Sequence, residues 1–205
     1  MTKMKLLFLS LLLMPLGVFA QKVAITPFGG YMFPAKMNGS GGYVRFQGNA
    51  QYGGMLSIAT SRVFDIDLIY TRVDTKSEVS YINVPYEEIP LSINYIHGGV
   101  TKNFRINPTI SPFVGFNLGA CLMSPKRDYQ DVWFFSVGLN GGAKIYVGNR
   151  IGFKVQAQLF MPIQGSGFSF MVGTGGSGGG VSLYGTMVHF GLSGGLILRL
   201  GRISE

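Results

Sequence analysis

The sequence predicts an all-β fold, an eight-stranded antiparallel up-and-down β-barrel that crosses a membrane. Three observations predict it. Of the 205 residues, 47% are apolar and only 13% are charged, whereas about 25% are charged in ordinary soluble proteins. Beyond the first 20 residues, no segment reaches the roughly 18 consecutive apolar residues of a membrane helix. Apolar and polar residues instead alternate over segments long enough to cross a bilayer as tilted strands.

The alternation is clearest in four segments, at 64–71, 109–120, 151–161 and 188–199. Four weaker segments complete the eight, at Val23–Phe33, Gln51–Thr60, Pro90–Phe104 and Val132–Val147. The pair Gly98-Gly99 suggests a bulge in the fourth strand. A soluble sandwich or lipocalin-like barrel is the alternative, and its water-facing positions would be rich in Lys and Glu. Here the polar positions are mostly Gly, Ser, Gln and Asn. We therefore predict that the apolar positions face lipid and the small polar ones fill the lumen.

The connections between these strands alternate in length. The short ones are at 61–62, 105–108 and 148–150, and the longer ones at 34–48, 74–89, 123–131 and 162–183. Short periplasmic turns and longer external loops are typical of bacterial outer-membrane barrels. An even strand count then places both chain ends on the periplasmic side.

The first 20 residues form a separate unit. Lys3 and Lys5 precede an apolar run, Leu6–Met14, and Val18-Phe19-Ala20 offers small residues at a cleavage position. This is the layout of a secretory signal peptide, and the run is too short for a membrane anchor. We predict a cleaved signal peptide at 1–20, a barrel at 21–205, and export to the outer membrane.

Six charged residues at the ends or starts of predicted strands all map near the periplasmic end of the lumen. We predict that they form a layer of ion pairs there, because buried charges persist when they are paired. Structural filling is the favoured interpretation, since an eight-stranded interior holds little more than side chains; a gate or narrow ion path is the alternative. The six are Asp65, Asp67, Lys102, Lys144, Lys154 and Arg199.

No catalytic, cofactor or metal site is predicted. His97 and His189 are the only histidines and lack the context of a lipid A deacylase motif; two histidines also make a poor metal site. Cys121 lies in an apolar stretch, which favours a packed thiol. The glycine-rich run 173–180 lacks the Gly-Lys-Ser/Thr of a phosphate loop, so a flexible external loop is expected.

The expected partners follow from the membrane setting. Scattered basic residues and export argue against nucleic acid. We expect a monomer surrounded by membrane lipid, with an unknown partner for the loops. Outer cations could meet anionic lipopolysaccharide head groups, although solvated loop charges are an equally good interpretation. These cations are Lys36, Arg45, Arg72, Lys76, Lys126 and Arg127.

Three stretches resemble the outer-membrane β-barrel domain family, whose members are similar to the OmpA/OmpX-type barrels and are common as stand-alone proteins in Bacteroidetes-like bacteria. They are Ile25-Thr26-Pro27-Phe28-Gly29-Gly30-Tyr31, Asp67-Leu68-Ile69-Tyr70 following Gln51-Tyr52-Gly53-Gly54, and Gly194-Gly195-Leu196.

The resemblance implies the fold over the whole mature chain and insertion by the barrel-assembly machinery. One departure is the end of the chain, 200–205, which lacks the terminal aromatic residue that this machinery reads in many such barrels. The predicted function is that of a non-catalytic barrel with a structural or surface role in the cell envelope and loops for interaction; the alternative is a narrow porin-like channel for small solutes.

Overall fold

The computed structural model describes residues 23–39, 42–81, 84–104, 106–107, 109–126, 130–163, 169–172, 179–182 and 187–200. Twelve strands lie in this part of the chain. They are β1 (Val23–Met32), β2 (Ala35–Gly39), β3 (Gly42–Phe46), β4 (Asn49–Ala59), β5 (Phe64–Tyr81), β6 (Val84–Asn103), β7 (Ile110–Pro125), β8 (Val132–Tyr146), β9 (Ile151–Ile163), β10 (Ser169–Val172), β11 (Gly179–Ser182) and β12 (His189–Leu200). No helix among the described residues has the length and apolar character needed to cross a membrane.

Eight of the strands close into an antiparallel up-and-down barrel. Its order around the ring is β1, β4, β5, β6, β7, β8, β9 and β12, and β12 returns to pair with β1. The eight predicted strands are therefore confirmed. Val23 lies opposite both Leu200 and Ile58, so both ends of the described barrel lie at the short-turn end, beside the connections 60–63, 104–109 and 147–150.

Strands also occupy much of what was predicted as loop at the opposite, long-hairpin end. The predicted loop 74–89 is wrong, because β5 runs to Tyr81 and β6 starts at Val84. The segment 34–48 contains the β2–β3 hairpin, whose second strand pairs with the far half of β5. The segment 74–89 is rich in charge and therefore resembles a loop, yet the strands within both segments are paired in the sheet. The barrel wall thus continues as an outer extension, defined here as β2, β3 and the long-hairpin halves of β5, β6, β7 and β8.

The alternation of side chains between the two faces matches the prediction in the short-turn half of the barrel. Apolar side chains point outward and form a belt suited to lipid, while their polar neighbours are buried in the lumen. Exposed members of the belt include Ile66, Leu68, Val100, Val114, Phe116, Leu118, Phe153, Val155, Leu192, Leu196 and Leu198.

The apolar face then changes sides along single strands. On β5, Phe64, Ile66, Leu68 and Tyr70 point outward, and Ile69 is buried with Phe28 and Met55. Beyond Tyr70 the buried Val73 points inward and Arg72 outward. The same change occurs on β6 and β7. The change marks the height at which each strand leaves the lipid, because beyond that height the outward face meets water. The inward apolar side chains form the outer apolar core, made of Met32, Ala35, Val44, Phe46, Val73, Ile89, Leu91, Ile93, Tyr95, Cys121, Met123, Phe134, Phe160 and Met187.

Pairs of adjacent glycines occur in five barrel strands, and one member of each pair is crowded. A Cβ on Gly99 would overlap the carbonyl oxygen of Phe116 on the neighbouring strand, whereas a Cβ on Gly98 would meet nothing. The predicted bulge at this pair is wrong, since the register of β6 with β5 and with β7 runs through it without a shift. The crowded member always has inward parity, which lets a narrow barrel curve without displacing its neighbours. The crowded glycines are Gly30, Gly53, Gly99, Gly142 and Gly195.

Candidate functional site

The structure places five of the six candidate lumen charges at the short-turn end of the lumen, and two of them form an ion pair there. Lys144 on β8 reaches across the lumen to Asp65 on β5, with Nζ 2.7 Å from Oδ2. Asn103 donates a hydrogen bond to the same carboxylate oxygen over 2.9 Å. Deeper in the lumen, the Thr101 hydroxyl donates to Asp67. Both carboxylates are thus held by groups on neighbouring or opposite strands, and the layer crosses the lumen.

Lys154 and Arg199 belong to the same end but have different neighbours. The Lys154 ammonium lies 2.9 Å from the Met55 sulfur and 4.4 Å from the centre of the Phe113 ring. The Arg199 guanidinium stacks 3.6 Å from the centre of the Tyr146 ring. Neither forms an ion pair within the described part of the chain.

Lys102, the sixth predicted member, is not in the layer. Its neighbours Thr101 and Asn103 are buried in the lumen, so Lys102 points outward, where it is exposed and lies 5.3 Å from the centre of the Phe104 ring. β6 keeps one parity from Tyr95 to Asn103, with the odd-numbered positions facing the lumen, so Lys102 falls on the outward face.

A middle layer of neutral polar side chains lies between the charged layer and the outer apolar core. Asn117 donates to Asn140 over 2.9 Å, and Ser193 links Gln156 and Gln158 at 3.1 Å each. Several buried atoms in these layers have no partner within the described part of the protein, which fits a site that internal water satisfies. They include atoms of Gln51, Asp67, Thr71, His97, Asn103, Asn117, Ser136, Asn140, Gln156 and Gln158.

Both histidines lie in the lumen, at the boundary between the middle layer and the outer apolar core. His189 has the predicted lumen parity, and its Nδ1 is 2.7 Å from the Tyr95 hydroxyl. His97 is 1% exposed and packs against Phe160, with ring centres 5.1 Å apart. Cys121 is fully buried in the outer apolar core, as a packed thiol would be. Among the described residues, no group of three or more His, Cys, Asp and Glu side chains could hold a metal ion.

The outward face of the outer extension carries a charged rim, defined here as Arg72, Asp74, Lys76, Glu88 and Lys126. Asp74 accepts hydrogen bonds from Arg72 at 3.0 Å and from Ser92 at 2.6 Å, and Lys126 lies 3.7 Å away. These bonds, Arg72's above all, hold the pKa of the Asp74 carboxyl well below its usual range. Lys76 pairs with Glu88 at 3.0 Å.

The remaining predicted outer cations lie close to this rim or outside the described residues. Lys36 lies over the Tyr43 ring, 4.1 Å from its centre, and Arg45 faces Glu78 in the register of β3 and β5. Arg127, the predicted signal peptide at 1–20, the centre of the glycine-rich run at 173–178 and the chain end at 201–205 lie outside the described residues.

The comparisons with known proteins identify the class of fold. No family model matches the sequence, and no curated protein matches it. Solved structures do match. Neisserial surface protein A shares 12% identity at a TM-score of 0.56 over 87% of this chain and 97% of its own. The outer membrane protein AlkL shares 11% identity at a TM-score of 0.59 over 90% and 93%. The outer membrane protease OmpT from Escherichia coli shares 10% identity at a TM-score of 0.50 over 88% and 97%.

The fold is therefore that of the small outer-membrane β-barrels, the OmpA/OmpX-like class that the sequence resembled. In this class the short turns are periplasmic and the long hairpins extracellular. At these identities the likeness establishes the fold alone.

Proposed function

We propose that the protein is a closed, non-catalytic surface barrel of the outer membrane, exported with a signal peptide cleaved after Ala20, whose outer extension presents an interaction surface. The observation that carries this proposal is the filling of the lumen. A charged layer, a neutral polar layer and the outer apolar core follow one another from the periplasmic end outward. Such a sequence of layers leaves side chains, rather than an open path, at the barrel axis.

The outer extension has the properties of a rigid platform. Its wall is continuous sheet, because β3 pairs with β5 over five residues and β5 pairs with β6 along its length. Its interior is packed, since Phe46, Ile93 and Met123 are each at most 2% exposed. A segment with many buried apolar contacts opens less readily than a solvated loop. A partner would therefore meet a preformed surface, which lowers the entropic cost of binding.

Planar-bilayer recording tests the closed state. We expect the purified protein, inserted into a bilayer, to give no steady conductance, because the outer apolar core and the Lys144–Asp65 pair both cross the lumen. Insertion is checked independently by the fluorescence of Trp133, the single tryptophan, which is 61% exposed on the outward face. A steady conductance that disappears on altering Asp65 and Asp67 would contradict the proposal and favour a pore.

A narrow pore for small solutes is the second candidate. The observation that favours it is the set of buried polar atoms of the middle layer that lack protein partners, such as those of Thr71, Asn117 and Gln158. Water at these atoms would provide part of a polar path. The path would still have to cross the outer apolar core, and for this reason we prefer the closed barrel.

The absence of catalysis is also part of the proposal. The likeness to OmpT extends to its fold, and a fold does not determine function. A catalytic histidine must reach its substrate, whereas His97 and His189 are at most 2% exposed and lie inside the lumen. The Nδ1 of His189 is already engaged by Tyr95.

We further propose that the charged rim contacts the anionic head groups of lipopolysaccharide. Arg72 and Lys126 share a single carboxylate, Asp74, so the two cations together carry more charge than their partner neutralises. The rim lies just beyond the outward Tyr52 and Tyr70, at the height where outer-leaflet head groups would lie.

Charge reversal tests the lipid partner. We expect Lys126→Glu to weaken the binding of lipopolysaccharide to the barrel in detergent several-fold, because a cation at the rim becomes an anion. Lys102→Glu is the matched control, since Lys102 is also outward and exposed but lies at the periplasmic end. Equal affinities for the wild type and Lys126→Glu would count against this partner.

A further inference from the structure

The periplasmic end of the lumen contains a small cavity of about 60 Å³, called the vestibule here. Three cations line it, Lys144, Lys154 and Arg199, together with one carboxylate, Asp65. Lys144 takes that carboxylate as its ion-pair partner. Asp67 lies deeper and is not part of the lining. The vestibule therefore carries more positive than negative charge.

Lys154 is the cation whose surroundings are least suited to its charge. It is 2% exposed, and its ammonium contacts a thioether sulfur and the face of an aromatic ring, from Met55 and Phe113. Both contacts attract a cation weakly, and neither carries a negative charge. Asp65 and Asp67 attract the ammonium from a greater distance, without forming an ion pair with it within the described part of the chain. A buried ammonium is costly unless it is paired, so this position is completed best by a counter-anion.

The other groups around the cavity suit an oxyanion. The Arg199 guanidinium stacks on Tyr146 through its flat face, which leaves the N–H groups at its edge to bind a carboxylate or phosphate. Hydroxyls from three further strands, those of Thr26, Ser57 and Ser111, also line the cavity and can donate hydrogen bonds. We propose that the vestibule binds a small oxyanion from the periplasm, a phosphate or a carboxylate, held by Lys154 and Arg199. The proposal needs the barrel fold but neither the closed lumen nor the lipid contacts.

The experiment titrates the purified, folded barrel in detergent with inorganic phosphate and, separately, with acetate, using isothermal titration calorimetry at constant ionic strength. We expect saturable binding that Lys154→Met weakens by about tenfold or more, the usual effect of losing a hydrogen bond to a charged group. Lys154→Arg keeps the charge and should retain most of the affinity. Tighter binding of phosphate would assign the site to phosphate groups, and tighter binding of acetate to carboxylates.

Lys102→Met is the matched control, because it removes one lysine from the same end of the barrel but from the outward face. It should bind as the wild type does. An equal loss of affinity in Lys102→Met and Lys154→Met would show a non-specific charge effect and overturn the proposal, as would the absence of saturable binding to the wild type with either anion. Heat-modifiable migration on a gel confirms that each variant is folded. If Lys154→Met does not fold, the anion affinities of Lys154→Arg and Arg199→Lys are compared instead.

Discussion

Lys144→Met is expected to lower the free energy of unfolding by about 3 kcal/mol, the usual cost of removing one partner from a buried ion pair. The side chains of Lys144 and Asp65 are 6% and 13% exposed, so little water reaches the pair. After the substitution the hydrogen bond from Asn103 is the one side-chain bond that Asp65 keeps among the described residues. Urea unfolding in lipid vesicles, followed by the fluorescence of Trp133, measures the change.

Two variants separate the role of the pair from that of the lysine itself. Adding Asp65→Asn to Lys144→Met removes the stranded charge and should recover most of the loss, since a neutral replacement of a buried pair is often tolerated. Lys102→Met should change the stability by less than about 0.5 kcal/mol, as an exposed substitution does. If the urea midpoint of Lys144→Met equalled that of the wild type, the prediction would be wrong and the Lys144–Asp65 pair would have to be solvated.

Gly119→Ala is expected to have an effect of similar size, about 3 kcal/mol at the upper end of the usual cost of overpacking, and to impair assembly of the barrel. A Cβ at Gly119 on β7 would overlap the carbonyl oxygen of Ile96 on β6 and press on the ring of His97. The first of these is backbone, which cannot rotate away as a side chain can. The measurement is the fraction of refolded protein that shows heat-modifiable migration, together with its unfolding in urea.

Gly98→Ala is the matched control for that substitution. Gly98 lies on β6 opposite Leu118, next to the crowded site, and a Cβ there would meet nothing within 4 Å. We expect the refolding yield of this variant to equal that of the wild type. Equal losses in Gly98→Ala and Gly119→Ala would mean that close approach of the neighbouring backbone does not explain the effect, because the backbone entropy of an added Cβ by itself favours the folded state.

The part of the fold that lies in lipid could be predicted from the sequence, and the part beyond it could not. Within the bilayer the solvent on the outward face is apolar, so alternation along β5 from Phe64 to Tyr70 indicates both strand and orientation. Beyond Tyr70 the outward face meets water and the meaning of the alternation reverses. Charged residues such as Asp74 and Lys76 then resemble a loop, although they lie on a paired strand. The available clue was that Val73 is apolar at an inward position, whereas Leu68 and Tyr70 are apolar at outward positions.

The charged layer was predictable for a related reason. Charges on the lumen parity have few places to lie, and the register of an up-and-down barrel brings strand starts and ends to the same height. Five of the six residues are accordingly at one end of the lumen. Which of them would pair depended on reach across the lumen, as with Lys144 and Asp65, and side-chain reach is not encoded in strand parity. Lys102 was misplaced because the apolar side chains of β6 change sides along the strand, so alternation alone does not fix the orientation of its last residues.

Because of the outer apolar core, the stability of the outer extension depends on temperature differently from that of the barrel within the bilayer. Its side chains are packed together in a region surrounded by water, so water drives their association and their exposure carries a large positive heat capacity. The belt within the bilayer lacks this contribution, because its apolar side chains remain in a hydrocarbon environment whether or not the strands are in register. Cooling weakens association driven by water. On cooling, therefore, the outer extension is expected to lose stability before the barrel beneath it. The surface that it offers to a partner is most stable at moderate temperature.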